Sequence, residues 1–409
     1  MKKKILLIHP DLLPIPAVGG GAIETLITNL LDENEKQQRV EFFVISKYDE
    51  KAEKIKYSFS KIFYFSNNTY INKTKWYKLK WFLYRVWYKL FQNHIIIKLH
   101  NKKVTRMNYF VFQSYLIAKK YHIDYLVIEG RDDLLNWVSF TRLLGEKNVF
   151  YHSFAAGRKS TEIEKYFSNF IHTSEYCKRV WTQKPGEEEK NILLLNGIDL
   201  KLFDIKISYE KKLELRKSLG LQSTDFVVLF CGRIIQLKGV LELVKAFELI
   251  GATPHKNIKL LLIGSVCFSA KNESEYSNQV INRAKAMDNV VCTGYIPNSE
   301  IPYYQQVSDL QIVPTIGEES AGLVCIEGMM SGLPLIITKS GGMPEYADKK
   351  CSVQLPINDE LPRNIAEAII ELENSKEKRF EMVKAGKQRA KLFSKEKYYD
   401  GFVNIFINN

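Results

Sequence analysis

Short runs of β-branched and aromatic residues alternate with amphipathic stretches along the whole chain. The amphipathic stretches show helical spacing: in GVLELVKAFELI, Leu241, Val244 and Phe247 fall on one face of a helix. Strands that alternate with helices are typical of βα units and a parallel sheet, so the pattern predicts an α/β fold. The predicted strands are KILLIH, VEFFVIS, DYLVIEG, NVFYHSF and NFIHTS, then FVVLFCG, IKLLLIG, VVCTGY, LQIVPT and LPLIIT.

A length of 409 residues exceeds what one ordinary hydrophobic core organises. The two series of strands are separated by LLLNGIDLKLFD, a strand end and a turn before a charged helix. We therefore predict two Rossmann-like, doubly wound domains, at residues 1–200 and 201–393, facing a central cleft. A helix at residues 394–409 is predicted to pack back on the first domain. Ligands of such folds bind at the carboxyl ends of the strands.

Composition and charge indicate which kind of partner the protein binds and in which compartment it lies. The net charge of +13 favours an anionic partner. The six cysteines show no CxxC spacing and mostly lie in apolar runs, which predicts buried thiols in a reducing cytoplasm without zinc or disulfides. The apolar core of MKKKILLIHPD is too short for a secretory signal, and no stretch of about 18 apolar residues predicts a membrane span. These features predict a cytoplasmic protein.

One cationic turn follows the first strand of the second domain. FCGRIIQLKG places Arg233 and Lys238 there, at the entry to a helix. Two cations together with free backbone N–H groups suit a diphosphate. The alternative is that both are solvated loop charges. GxxxxGK[ST] and a strand-coupled GxGxxG are both absent from the sequence.

Two glutamates stand in an otherwise apolar run, PTIGEESAGLVCIEGMMSGLP. A buried carboxylate is costly unless it is paired, so Glu319 and Glu327 either face solvent or hold a polar ligand. In a fully helical run they would lie roughly 12 Å apart, about the span from ribose to sugar in a nucleotide sugar. Gly322 and Leu323, at the predicted helix start, would offer N–H groups to phosphate or sugar oxygens. The alternative, an acid favoured by the helix dipole, suits Glu319 and not Glu327.

Several motifs occur together in order: GGGAIE, NGID, GRIIQLKG, EESAGLVCIEGMMSGLPLI and GGMPEYA. This series resembles family 4 retaining glycosyltransferases of the GT-B fold, whose paired glutamates have the E-x7-E spacing seen here. The resemblance implies that Arg233 and Lys238 hold the donor diphosphate. It also implies that Glu327 binds the ribose and Glu319 the donor sugar.

The resemblance extends to the first domain. It implies that Gly20 and Gly21, in AVGGGAIETL, approach the donor phosphate and the acceptor; glycine there also suits positive φ and close approach of a ligand. The alternative is a tight turn before a helix. His152 corresponds to a histidine near the reacting sugar, although a structural role is the alternative. Ser153 follows it where the family commonly has Asp or Gly, and Ala321 replaces a frequent aromatic residue, which indicates a changed sugar pocket.

The resemblance implies a retaining transfer on one face of the sugar, without cofactor or metal, in which His152 and Glu319 orient groups and stabilise charge. No D-x-D motif occurs in the sequence. The expected donor is a nucleotide-diphosphate sugar, with UDP as the expected nucleotide, and the expected acceptor is a cell-surface glycan or a lipid-linked one. Two alternatives stay open: a sugar-nucleotide epimerase of the same architecture and an inactive donor-binding scaffold protein.

No Asp or Glu occurs between Lys54 and His122. Within this stretch, residues 73–91 mix cations with aromatic rings at helical spacing, which suits a helix lying in an anionic membrane interface. An ordinary helix with a solvated basic face is the main alternative, and single-stranded nucleic acid is the weaker one. We expect an anionic membrane surface and no nucleic acid partner, and hence a peripheral association with the inner face of the plasma membrane.

Overall fold

The computed structural model describes residues 2–9, 13–65, 114–130, 138–154, 169–181, 191–265 and 274–407. The basic aromatic segment at residues 73–91, for which membrane contact is predicted, lies outside these ranges. Among the described residues, none of the helices is both long and apolar enough to cross a bilayer.

The first sheet has seven strands, in the order β3-β2-β1-β4-β5-β6-β7. Its strands are β1 (Lys4–Ile8), β2 (Glu41–Lys47), β3 (Ser60–Phe65), β4 (Tyr125–Glu129), β5 (Val149–Ser153), β6 (Asn169–His172) and β7 (Asn191–Leu193). The pairs β1–β2, β2–β3, β1–β4 and β4–β5 are all parallel. The helices described in this part of the chain are α1 (Ala22–Gln37), α2 (Glu50–Lys54), α3 (Val138–Leu144) and α4 (Glu175–Trp181).

The second sheet has six parallel strands, in the order β10-β9-β8-β11-β12-β13. Its strands are β8 (Phe226–Cys231), β9 (Ile258–Ile263), β10 (Val290–Gly294), β11 (Leu310–Val313), β12 (Leu335–Thr338) and β13 (Ser352–Leu355). The helices are α5 (Tyr209–Ser218), α6 (Val240–Gly251), α7 (Glu275–Lys285), α8 (Ile301–Gln306), α9 (Leu323–Ser331), α10 (Met343–Tyr346), α11 (Leu361–Asn374), α12 (Lys376–Ala390) and α13 (Lys395–Ile407).

Both sheets reverse their strand order at one point, which is the signature of a doubly wound fold. The reversal lies between β1 and β4 in the first sheet and between β8 and β11 in the second. Loops that follow these strands diverge and leave a crevice at the carboxyl ends, where ligands of such sheets bind. The predicted α/β class with two parallel sheets is therefore confirmed.

Both faces of the second sheet are covered, which explains why its strands are apolar at successive positions. Val228 and Phe230 face one core, together with residues of α6 and α11. Val227 and Leu229 face the opposite core. Burial on both sides removes the polar alternation that a half-exposed strand would show.

All ten predicted strands occur, and the structure adds β3, β7 and β13. Helix α6 also forms as predicted, but its buried stripe is shifted. Val240, Leu243, Val244, Phe247 and Ile250 are fully buried, whereas Leu241 is only partly buried. The helix therefore buries positions with the mixed three- and four-residue spacing of a broad apolar face, and not a strict three-residue step.

The chain divides into two compact units. The first comprises residues 1–153, 159–171 and 403–409, and the second comprises residues 154–158 and 172–402. Within the second unit, the Tyr346 hydroxyl donates to the Thr173 carbonyl (2.6 Å) and accepts from the Asn196 N–H (3.0 Å). Residues 173 and 196 are thus bonded to a helix that follows the second sheet's strand β12. Within the first unit, the Phe406 ring packs against the rings of Tyr125 (5.2 Å) and Phe150 (4.9 Å).

Candidate functional site

The turn after β8 lies at the strand reversal of the second sheet and carries both predicted cations. Its bend depends on Gly239, which has φ +66° and whose Cβ, if present, would overlap the carbonyl oxygen of Pro314. The Leu237 carbonyl accepts hydrogen bonds from the N–H groups of Ile316 and Gly317, both at 2.9 Å. The turn after β8 and the loop after β11 are therefore fixed to each other by backbone contacts.

Lys238 and Glu319 contact each other in this crevice. The Lys238 Nζ donates to Glu319 Oε2, and the two side chains are 25% and 24% exposed. Each group thus has its charge compensated while remaining accessible to a ligand. A polyanionic ligand that binds the ammonium group would compete with the carboxylate for it.

The backbone of Glu319 is held by the loop after β12. Its N–H donates to Ser340 Oγ at 3.1 Å, and its carbonyl accepts from the Gly342 N–H at 2.8 Å. Gly341, with φ +50°, passes so close that a Cβ would overlap the Glu319 carbonyl oxygen. The two glycines of the GGMPEY motif therefore hold the backbone of Glu319 in place, and its carboxylate stays available for other contacts.

Arg233 lies in the same turn and is exposed. Within the described ranges, its guanidinium makes no hydrogen bond or ion pair. Such a cation, close in sequence to Lys238 at a strand end, remains available to an anion.

Glu327 lies on α9 and keeps partial solvent exposure. Desolvation by the surrounding protein raises the pKa of its carboxyl to about 7. Among the described residues none donates a hydrogen bond to this carboxyl or forms an ion pair with it. The carboxylate is also close to the end of β8, because it adds to the effect of burial in raising the pKa of the Cys231 thiol to about 12. A desolvated carboxyl without a protein partner in a crevice indicates a ligand site.

Helix α9 begins at Leu323 with Gly322 as its N-cap, as predicted. No described side chain caps this end. The Cys325 N–H donates to the Gly322 carbonyl at 2.9 Å, and the N–H groups that precede it are open to a ligand. Glu319 precedes the helix and lies in the loop. The estimate of roughly 12 Å between the two carboxylates assumed one continuous helix, and it does not apply here.

A buried polar network under α9 fixes the helix on the sheet, and the sequence analysis missed it. Gln311 Nε2 donates to the Val324 carbonyl at 2.7 Å, and Gln311 Oε1 accepts from Gln305 at 3.2 Å. A Cβ on Gly328 would overlap the Gln311 amide, at 2.7 Å from its oxygen. Gly328 therefore admits the amide that holds the helix carrying Glu327. A glutamine inside the apolar strand LQIV was the available signal.

The first unit carries the remaining predicted residues. Gly20 and Gly21 follow β1, have φ +78° and +97°, and lead directly into α1, so the expected positive φ is confirmed. His152 lies near the end of β5 and is fully buried. Its Nδ1 lies 2.8 Å from Glu129 Oε2, which is also fully buried.

The His152–Glu129 contact follows from strand register. The two residues are direct neighbours on the parallel strands β5 and β4, and the Gly130 N–H donates to the His152 carbonyl at 2.9 Å. The two atoms lie within ion-pair distance of each other. Glu129 was not predicted as a site residue, although it is a lone acid at the end of the apolar strand YLVIE.

The structure thus brings Arg233, Lys238, Glu319, Gly322, Leu323 and Glu327 to the strand reversal of the second sheet. Gly20, Gly21 and His152 lie at the carboxyl ends of strands in the first. The second-unit residues combine two cations, two carboxylates and an open helix N-terminus. Cations and N–H groups suit phosphates, and carboxylates suit hydroxyl groups.

Residues 211–389 match the family model described as glycosyl transferases group 1. Spore coat protein SA of Bacillus subtilis is 26% identical over 248 residues, which are 59% of this chain and 65% of that protein. The lipopolysaccharide 1,2-N-acetylglucosaminetransferase of Salmonella typhimurium is 35% identical over 135 residues, which are 32% of this chain and 35% of that protein. The chain therefore spans less than two thirds of the length of these curated relatives.

Solved structures resemble the whole chain. A glycosyltransferase from Rickettsia africae has a TM-score of 0.74 at 17% identity and covers 100% of both chains. The Anabaena protein HepE, in complex with UDP and glucose, has a TM-score of 0.72 at 17% identity and also covers 100% of both chains. At these identities the likeness concerns the fold, and the GT-B fold predicted from the sequence is confirmed.

Proposed function

We propose that the chain is a retaining glycosyltransferase using a UDP-sugar donor, since residues 211–389 match the family model of the group 1 glycosyl transferases. The acceptor is a cell-surface glycan or a lipid-linked one, as expected from the sequence. The observation that carries this proposal is the crevice after β8 and β11. It holds the Lys238–Glu319 pair, together with Arg233 and the desolvated Glu327, neither of which is paired with another described residue.

Charge supports the assignment of the diphosphate to Arg233 and Lys238. Two cations at one strand end offset the charge of a diphosphate and of the leaving group that forms on transfer. The first N–H groups of α9, at Gly322 and Leu323, follow the carboxyl end of β11 and favour negative charge. This arrangement supplies positive charge from the chain's own groups, which is why we propose a metal-independent reaction.

Hydroxyl recognition is proposed for the two glutamates. Glu327 accepts the vicinal ribose hydroxyls, because its carboxylate has no partner among the described residues and offers two oxygens to two adjacent donors. Glu319 accepts sugar hydroxyls once the diphosphate takes over Lys238. The UDP preference rests on HepE, whose structure contains UDP.

In the proposed mechanism the acceptor attacks on the face from which the phosphate leaves. The leaving phosphate takes the acceptor's proton, and no covalent sugar–protein bond forms. His152 orients the reacting sugar from the first unit, and Gly20 and Gly21 allow close approach of substrate. The buried contact with Glu129 (2.8 Å) orients the His152 ring.

We further propose that the reaction takes place in the cytoplasm, at the inner face of the plasma membrane. A lipid-linked acceptor would explain a basic aromatic segment at residues 73–91.

The test compares substitutions of the two cations with a matched surface control. Arg233→Gln and Lys238→Ala should each weaken UDP binding by about 10-fold or more, since each removes a charge-assisted contact to phosphate. Lys211→Ala removes an exposed lysine on α5 of the same unit and should leave the UDP dissociation constant unchanged. Equal UDP affinity in the parent and both cation variants, measured by calorimetry, would contradict the site.

Products formed without acceptor separate transfer from isomerisation. Slow release of UDP and free sugar indicates a transferase that uses water as a poor acceptor. A nucleotide sugar with a changed configuration would instead indicate an epimerase.

A further inference from the structure

Glu24 is a buried acid that the proposed mechanism does not use. It lies in the first turn of α1, three residues after Gly21, and is 6% exposed. Its carboxylate lies directly over the glycine loop, because a Cβ on Gly21 would overlap both Glu24 Oε2 and the Leu13 side chain. Glycine at position 21 therefore makes room for this carboxylate next to the loop after β1.

Glu24 has spare hydrogen-bonding capacity. Within the described part of the chain, no other residue donates a hydrogen bond to its carboxyl or forms an ion pair with it; its own backbone N–H is its partner. A carboxylate has about four acceptor positions, and burial without donors is unfavourable. Burial accordingly raises the pKa of the carboxyl. An acid in a first helical turn also gains from the helix dipole, but that gain does not require burial.

The surrounding backbone is rigidly held. Thr25 Oγ1 donates to the Gly21 carbonyl at 2.7 Å, and the Ala17 N–H donates to Thr28 Oγ1 at 2.9 Å. Thr28 Oγ1 in turn donates to the Glu24 backbone carbonyl at 2.7 Å. The loop before α1 and the first turns of α1 thus form one hydrogen-bonded unit, which presents the carboxylate in a fixed position.

The charge of Glu24 selects the kind of ligand that this loop accepts. A buried carboxylate repels phosphate and accepts hydrogen bonds from hydroxyl groups. Leu13 adds an apolar surface beside it. We propose that Glu24 accepts hydrogen bonds from the hydroxyl groups of a neutral sugar at the Gly20–Gly21 loop, with Leu13 against the ring's apolar face. This inference rests on the proposed function for its sugar substrate, and it replaces the phosphate that the sequence analysis expected at these glycines.

Binding of simple sugars tests the inference without requiring turnover. Saturation-transfer NMR is recorded with glucose, galactose and N-acetylglucosamine, each alone, on the intact chain. At least one should bind the parent, and Glu24→Gln should raise its dissociation constant about 5- to 10-fold, because a neutral acceptor replaces a charged one. Glu33→Gln is the matched control: it neutralises another buried acid on the same helix and should bind like the parent. Sugar binding that is absent from the parent, or equal in parent and Glu24→Gln, would overturn the proposal.

A second variant and a second ligand serve as controls for folding and for phosphate binding. Glu24→Asp keeps the charge but shortens its reach, so it should weaken sugar binding while keeping the parent's melting temperature. Inorganic pyrophosphate should bind the parent and Glu24→Gln equally. Tighter pyrophosphate binding by Glu24→Gln would show that the carboxylate faces phosphate and would overturn the proposal.

Two further arms identify the source of the sugar and separate this inference from the proposed function. If the hexose still binds in the presence of saturating UDP-glucose, the site belongs to the acceptor sugar. If the hexose no longer binds with UDP-glucose but still binds with UDP, the site belongs to the donor sugar. Donor hydrolysis is measured on the parent alone. If no donor is hydrolysed while Glu24-dependent sugar binding persists, the proposed function fails and the sugar site stands. If donors are hydrolysed but the parent and Glu24→Gln bind hexose equally, this inference alone fails.

Discussion

Replacing Glu327 with glutamine should stabilise the protein at neutral and alkaline pH while weakening donor binding. The pKa of this carboxyl is about 7, raised by desolvation from the ordinary value of 4.5. Each pKa unit corresponds to about 1.4 kcal/mol, so carrying the charge costs the folded state at most about 3.5 kcal/mol. Partial exposure of Glu327 reduces this cost, and we expect 1–3 kcal/mol, on the order given by that conversion. Glutamine keeps the shape of the side chain and removes the charge.

The pH dependence follows from the direction of the pKa shift. Because the folded pKa lies above the unfolded one, the folded state binds more protons than the unfolded state between pH 4.5 and 7. This carboxyl therefore makes the parent progressively less stable as pH rises through that window, and the loss is constant above it. Glu327→Gln lacks this loss. Its stability relative to the parent should rise from pH 4.5 to pH 7 and then level off.

Urea unfolding at pH 4.5, 6 and 8 measures this difference, with Glu371→Gln, an exposed acid on α11, as the control. UDP binding by calorimetry at pH 8 measures the functional cost, which should be about 10-fold or more through the lost ribose contacts. A gain in stability with a loss of binding is the behaviour of a residue kept for function. A stability difference that does not change with pH, or an unchanged UDP affinity, would refute the reasoning.

Three further predictions concern the loops of the site and the basic segment. Glu345→Gln should lower the free energy of unfolding by about 1–2 kcal/mol, measured with urea at pH 7. Its carboxylate caps the start of α4 by accepting from two backbone N–H groups at 2.6 and 2.7 Å. An unfolding free energy equal to the parent's would contradict this cap. Gly239→Ala should lower the melting temperature by an amount equivalent to about 2 kcal/mol or more, since its φ of +66° and a nearby carbonyl oxygen exclude a side chain; an unchanged melting temperature would contradict it. Reversing three charges in the basic segment should release the protein from anionic vesicles at low salt and leave donor hydrolysis intact, whereas a parent that ignores such vesicles would refute membrane contact. The three substitutions are Lys75→Glu, Lys78→Glu and Lys89→Glu.

The fold was predictable because buried parallel strands appear in the sequence as runs of successive apolar residues. Strands such as FVVLFC are apolar at successive positions, since both faces of the sheet are covered. The three strands that were missed lack that signal. β13 reads SVQL, β7 has three residues, and β3, SKIFYF, is an edge strand most of whose residues are only partly buried.

The candidate site was predictable where chemistry follows a strand end. Arg233 and Lys238 stand directly after β8, and Gly322 begins a helix, so their positions follow from local sequence. The supporting residues could not be found in this way. Ser340 holds Glu319 across 21 positions, and its role depends on a loop contact that sequence spacing does not encode. Glu24 reads as an ordinary acid of a first helical turn, and only the packing over Gly21 distinguishes it.

The most direct test of the central claim is ¹H NMR of the parent protein with UDP-, GDP-, ADP- and CMP-sugars in water, without acceptor. The account predicts slow release of free sugar from a UDP-sugar, appearing first with the anomeric configuration of the donor, together with a raised melting temperature in the presence of UDP. Neither turnover nor thermal stabilisation by any of these donors would contradict it.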